Sequence, residues 1–597
     1  MNVSANAASS SPTPITSPTP SASASPTPSA SASPTPSASA SPTPSASASP
    51  TPSAAPAASR PQAATRRSVL RGLAVTTVAG TAAVCLPATA AEAAPAARRP
   101  AGAAGTHRLT LVHLGRNGAP TTAYRTLLTA LSGPDAGSAR ELKDSPSSTV
   151  TLQVPAGRYL LDASISTPPV GDGTWGNDWL VRPRLDVDRD LTVVLDARVA
   201  RPVDIRPPVT DARFEQVGVF AEVTYEGVTG FANLMAQSLD LRLAHLGPAT
   251  ERGAVRTWAD AYWSRPDGVC ALGYIFRGER ALTGLVRHPA LSDLATLVVR
   301  AGVSESGEGP ALVGVSPSPG PSPALSLAVP QRGTGTFLLT PERGTWDLAY
   351  GAPTEPEAPG RSYLVLGRTF TAGSTTVHTF ENPVFGPAID DSAEARPVAQ
   401  RTGDTLELTV PLLADGEGHV TSSPLFTAST VTLHRNGALV ATRRGETPGH
   451  ASFTVPPGRA AYRVTASATR PRGRVTATWT FTSATTATAT ELPLSAVRFH
   501  PDLALDGTAP AHTTSRVPVT VQGAARRSGV RSLAVSVSTD GGTTWTPAPV
   551  TDGRIELTTP GPGRTLSFRA ALTDTHGNTL TQTHIDACAT RPATTAP

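Results

Sequence analysis

Ser538, Asp540, Gly542 and Trp545 stand in the spacing Ser-x-Asp-x-Gly-x-x-Trp, which lets a carboxylate take up turn amides while the indole packs beneath a hairpin. Sialidase-like propellers repeat this pattern from blade to blade. One copy therefore predicts a structural hairpin brace rather than sugar chemistry. Asp186, Asp188 and Asp190 alternate like the first ligands of a calcium loop, but Leu191 and Ala197 occupy the positions where that loop needs Gly and Glu. A solvent-facing strand and turn is the expectation there. Trp175 and Trp179 flank Gly176-Asn177-Asp178, and Trp258, Tyr262 and Trp263 gather beside Asp260 and Arg265. Exposed aromatics with polar neighbours stack on sugar rings or anchor a protein partner. These five are the candidate binding residues, set against the competing reading that a chain with only 7 Trp spends them on cores.

Other chemistries lack their residues. No Gly-x-Ser-x-Gly elbow occurs, since Gly302-Val303-Ser304-Glu305-Ser306 misses the last glycine. The 12 histidines are scattered without His-x-x-x-His, His-x-His or Cys-x-x-Cys spacing, so local spacing supports no metal site. There is no phosphate loop and no basic helix, and nucleic acid is not an expected partner. No catalytic, cofactor or metal residue is assigned.

The elements that must position these side chains read as strands. Leu109-Thr110-Leu111-Val112 and Thr149 to Val154 are β-branched and apolar runs, separated by turn signals at Arg116-Asn117-Gly118 and Pro155-Ala156-Gly157. Asn-Gly predicts a type I′ hairpin, and Pro-x-Gly a tight connection between paired strands. Both pieces recur, at Asn436-Gly437 and at Pro456-Pro457-Gly458. Further strands are expected at Thr336–Leu339, Val517–Val521, Ser532–Val537, Arg554–Leu557 and Thr565–Ala571, with apolar alternation at Leu239, Leu241 and Leu243 and a helical alternative near Phe231–Ser238. The fold class is all-β: several antiparallel β-sandwich modules, immunoglobulin-like or transthyretin-like, in tandem.

The N-terminal residues have a different composition. From Ser17 the octet SPTPSASA repeats to Ser49, with no large apolar side chain to offset ordering entropy. Residues 1–64 are expected to be disordered. Residues 65–93 read as a twin-arginine signal peptide: Arg66 and Arg67, then an apolar run diluted by Gly80 and Thr81, then Ala91-Glu92-Ala93 with cleavage between Ala93 and Ala94. Export to the extracellular space follows, with the membrane met only in transit. The chain of 597 residues has a net charge of +5, but its leader carries Arg60, Arg66, Arg67 and Arg71 against Glu92. The exported part is therefore nearly neutral, and its basic residues are arginines apart from Lys143. Cys85 leaves with the leader, and Cys270 and Cys588 are expected as unpaired thiols.

From Thr106 onward the order of VPAGRYLLDASI, RPRLDVDRDLTVVLDAR, FENPVFGPAI, TGDTLELTVPLLADGEGH, FTVPPGRAAYRVT, ELPLSAVRFHPDL and VSTDGGTTW followed by LTDTHGNTLTQT resembles the non-catalytic C-terminal accessory region of secreted subtilisin-like serine peptidases of high-GC Gram-positive bacteria. The catalytic motifs of those subtilases are missing. His576-Gly577 is the one His-Gly pair, and it lacks both the following Thr and a nucleophile motif downstream. The resemblance implies sandwich modules at 106–208, 396–485 and 495–588, the last immunoglobulin-like, around a β-rich middle region at 209–395. It also implies a secreted, non-enzymatic binding protein whose partner is an extracellular protein, a cell-wall glycan or a partner peptidase. Two alternatives stay open: an accessory part of a serine peptidase whose catalytic chain is separate, and an unrecognised glycan-active enzyme.

Overall fold

The computed structural model describes residues 105–592, apart from 144, 170–172, 306, 353–360, 393–394 and 422. The repeat and the signal residues Arg66, Arg67, Ala93 and Ala94 lie outside the described residues. Those described form 37 strands, three short 3-10 turns and one five-residue helix, Ala524–Ser528. Alternation explains the strands: in Thr345–Ala352 and Arg474–Ser483 every second side chain is buried, the period-2 pattern of a strand with one face on a core.

The first sandwich packs the three-stranded sheet of Thr149–Pro155, Thr106–Leu114 and Leu191–Asp196 onto a seven-stranded sheet built around Gly157–Thr167 and Gly176–Val187. Leu109, Leu111, Leu161, Leu185 and Leu195 are fully buried between them. Two strands of the larger sheet, Leu241–His245 and Leu285–Arg287, come from beyond residue 208. Leu241–His245 runs parallel to Gly176–Val187, with Leu243 opposite Trp179. The strand carrying Leu241 and Leu243 thus belongs to the first sandwich's larger sheet, while the two leucines are buried in the core that sheet shares with the middle-region sheet.

A second seven-stranded sheet includes Val228–Ala236, Arg213–Tyr225, Val255–Arg265, Gly268–Gly278 and Thr375–Phe380. One face joins the first sandwich through Val217, Val219 and Ala232. The other packs through Phe337 and Phe380 on a four-stranded sheet of Leu325–Val329, Ala311–Ser318, Thr345–Ala352 and Arg361–Thr369. The helical alternative near Phe231–Ser238 is corrected here. Val228–Ala236 is a strand in unbroken antiparallel register with Arg213–Tyr225, and nine paired residues outweigh the weak local helical signal.

Residues 396–485 and 495–588 do not form separate sandwiches. Arg474–Ser483 pairs antiparallel with Thr579–Arg591, placing Trp479 opposite Leu580, and one core runs from Val384 to Cys588. The turns also divide. Asn436 and Gly437 both have positive φ, 49° and 85°, as a type I′ turn requires. Asn117 does not join Gly118 there; its side-chain oxygen instead accepts the amide of Ala119. Neither Pro-x-Gly unit joins paired strands. Each carries the chain from one sheet to another, from Thr149–Pro155 to Gly157–Thr167 and from His450–Thr454 to Ala460–Thr469.

Candidate functional site

Four of the five candidate binding aromatics lie in cores. Val255–Arg265 is buried on both faces because it is an inner strand of a sheet covered on both sides. Trp258 stacks on Phe220 at 5.2 Å and donates its indole N–H to the Pro321 carbonyl at 2.9 Å. Tyr262 hydrogen-bonds Ser322, and Trp263 meets Phe214 edge-on. Trp179 is buried and donates to Asp162 at 3.3 Å. Their clustering reflects a two-sided core, and the binding expectation for Trp179, Trp258, Tyr262 and Trp263 is corrected accordingly. Trp175 is the exception, 53% exposed.

The carboxylates are held locally. Asp186 pairs with Arg158 and Arg184, Asp188 with Arg189 and Asp190 with Arg108. Asp260 forms a buried ion pair with Arg343 at 2.9 Å, and burial pushes its carboxyl up to about 6. In the Ser538–Trp545 turn, Ser538 donates to Asp540 at 2.6 Å, Asp540 accepts the Thr544 amide, and Trp545 donates to the Gly542 carbonyl at 2.9 Å. Hydrogen bonds from Ser538 and then Thr544 hold the Asp540 carboxyl well below the usual range. Arg569 lies 4.0 Å over the Trp545 ring. Cys270 and Cys588 are unpaired and buried, and burial pushes both thiols up to about 12, where they are poor nucleophiles.

Two features escape local spacing. The first is a group of His378, Glu417 and His419 whose ligand atoms all lie within 4.8 Å of one another. His378 sits on the strand Thr375–Phe380, one face shared with Phe380; Glu417 and His419 sit on a turn organised by the buried Asp415. One Asp415 oxygen accepts the amides of Glu417 and His419 at 3.1 and 2.9 Å, and the other accepts His419 Nδ1 at 3.0 Å. Phe380 stacks on His419 at 4.1 Å. Burial, reinforced by His419, holds the His378 imidazole down at about 4, so it is neutral at pH 7. With Glu417 39 positions after His378, no spacing rule joins them; the Asp-Gly-Glu-Gly-His run is the one local signal of a tight polar turn.

The second is the outer face of the four-stranded sheet. Leu312 pairs with Gly351, while Gly314, Ala349 and Leu364 lie in one row. Leu312, Leu364 and Leu366 are 44%, 53% and 63% exposed, on a face where polar side chains are the norm.

No protein-family model and no curated protein matches this chain. Among solved structures it is similar to a tetra-tandem repeat in the extending region of a large adhesion protein, at 12% identity, covering 81% of this chain and 100% of that one, with a TM-score of 0.11. Adhesion remains a property of that neighbour.

Proposed function

We propose that this chain is an exported, non-enzymatic binding protein, akin to the accessory region of subtilases, which engages an extracellular protein partner. The observation that supports this reading is the exposed apolar face formed by Leu312, Leu364 and Leu366 on a rigid sheet. Large apolar side chains on one solvent-facing sheet surface mark a protein contact. A glycan reader instead presents aromatic platforms, and four of the five candidate aromatics here are buried. A partner peptidase is one protein that such a face would accept.

The test uses the purified chain and a Leu364→Asp/Leu366→Asp variant. Both are incubated with casein, a fluorophosphonate serine probe, insoluble peptidoglycan and the secreted proteins of the producing cells. Expected is capture of a discrete secreted protein by the parent chain and its loss in the variant. Probe labelling or casein cleavage by the chain alone would overturn the non-enzymatic reading. Pelleting with peptidoglycan that the variant retains would move the assignment to a cell-wall polymer.

A further inference from the structure

We propose that His378, Glu417 and His419 form a binding site for a divalent transition metal, of the kind Zn²⁺ represents, which clasps the strand Thr375–Phe380 of the middle region to the loop between Thr405–Thr409 and Ala428–Arg435. His378 Nδ1 and His419 Nε2 are 3.1 Å apart, and each lies 3.8 Å from Glu417 Oε2. With zinc–nitrogen bonds of about 2.05 Å, two ligands of a tetrahedral zinc stand about 3.3 Å apart. The imidazole pair already has that separation, and the carboxylate has to move inward by about half an ångström.

The orientation of the ring nitrogens follows from the second layer of contacts. The Asp415 carboxylate accepts a hydrogen bond from His419 Nδ1, which turns the other ring nitrogen, Nε2, toward His378. A carboxylate that fixes the tautomer of a ligating histidine from behind is the common support of zinc sites. The same Asp415 ties down the amides of Glu417 and His419, so the turn is organised before any ion arrives. Two imidazoles and one carboxylate suit Zn²⁺ and its neighbours rather than Ca²⁺ or Mg²⁺, which prefer oxygen ligands. The side chain of Glu417 is 39% exposed, so an ion has a route in and a fourth position open to water. Without metal, the two imidazoles satisfy each other by one hydrogen bond; that is the competing account.

The experiment strips the purified chain with a chelator and titrates Zn²⁺ by calorimetry, with Ca²⁺ and Mg²⁺ in parallel and Co²⁺ absorbance as a geometric probe. Expected are one Zn²⁺ per chain, no comparable Ca²⁺ or Mg²⁺ binding, a tetrahedral Co²⁺ spectrum and a raised melting temperature. Glu417→Gln and His378→Gln should each weaken Zn²⁺ binding at least tenfold, within the range that metal-site changes produce. Glu417 is partly exposed, so its variant should melt like the parent when metal-free; it decides the matter if His378→Gln does not fold. Absence of saturable Zn²⁺ binding, or binding undiminished in Glu417→Gln, overturns the site.

Discussion

The two joints on either side of the middle region are built from different materials. At the first, the seven-stranded sheets meet through Leu131, Leu160, Trp179 and Val181 on one side and Val217, Val219, Ala221 and Ala232 on the other. At the second, the segment Glu381–Ile389 is held by charges. Glu381 accepts from Arg361 and Tyr363, and its amide donates to Asp415. Arg498 donates to the carbonyls of Gly386, Pro387 and Asp415, His584 bonds the Phe385 carbonyl at 2.8 Å, and Arg470 lies 3.5 Å over the Phe385 ring. A cleft of about 330 Å³ opens beside Glu381, Arg470 and Phe385. Apolar contact is proportional to area and indifferent to direction, whereas buried charges are satisfied in one arrangement and costly in others. The first joint gains stability from its area; the second specifies where the following region attaches.

The comparison breaks most readily at Glu381. Removing one partner of a buried pair leaves the other charge uncompensated, so Glu381→Ala should cost roughly 3–5 kcal/mol by denaturant unfolding. Replacing both partners, as in Glu381→Leu with Arg361→Met, should recover much of that loss, since paired removal of buried charge is often near neutral. A loss below about 1 kcal/mol for Glu381→Ala, the level of an exposed ion pair, would show that the second joint does not rest on this charge.

The two joints also differ in how far they can be read from the residues. Strand runs such as Thr565–Ala571 and the alternation at Leu241 and Leu243 are legible because burial on one face imposes period 2 on the chain. Which sheet receives Leu241–His245 is not legible, since parallel pairing with Gly176–Val187 depends on a crossover of more than 50 residues. The polar joint is hidden for another reason. Glu381, Arg361 and Arg498 look solvent-facing in sequence because charged residues usually are, and only their meeting in space makes burial affordable. The aromatic group at Trp258–Trp263 misleads in the opposite sense: density on one strand suggests a platform, yet a strand covered on both faces needs large side chains in succession. His378 and Glu417 become neighbours only once Thr375–Phe380 and the Asp415 turn are packed together.

A second test concerns Asp162, a buried carboxyl at the apolar joint that forms no ion pair among the described residues. Asp162 accepts the Trp179 indole N–H, and its other oxygen has no partner. Burial raises its pKa from 3.8 to about 7, opposed by the indole hydrogen bond and then by the charge of Arg125. The folded pKa lies above the unfolded one, so the protonated form contributes fully at acid pH. That contribution is lost as pH rises through about 7. Between pH 5 and pH 8 the loss amounts to about 3 kcal/mol. Asp162→Asn keeps the acceptor and removes the titration, so its stability should be flat over this interval while the parent falls. Parallel pH profiles of parent and variant would mean that Asp162 stays ionised and that the first joint tolerates bare charge.

The smallest effect is expected at Gly230, where the strand Val228–Ala236 packs against Leu131 and Leu160 of the first sandwich. A Cβ added there would stand 2.8 Å from Leu131 Cδ2 and 3.2 Å from Leu160 Cδ2. Both are ends of flexible side chains, so Gly230→Ala should incur the low end of overpacking, about 1 kcal/mol. The loss of glycine's excess unfolded-state entropy offsets part of this, by roughly 0.4–1 kcal/mol. The net change should therefore lie between zero and about 0.6 kcal/mol, and combining it with Leu160→Val should show positive coupling, because the removed methyl vacates the space that the new one needs. A joint that yields in this way is held by area. If Gly230→Ala alone costs more than about 3 kcal/mol, beyond ordinary overpacking, the apolar joint is as exacting as the polar one, and the contrast between them is one of chemistry without a difference in tolerance.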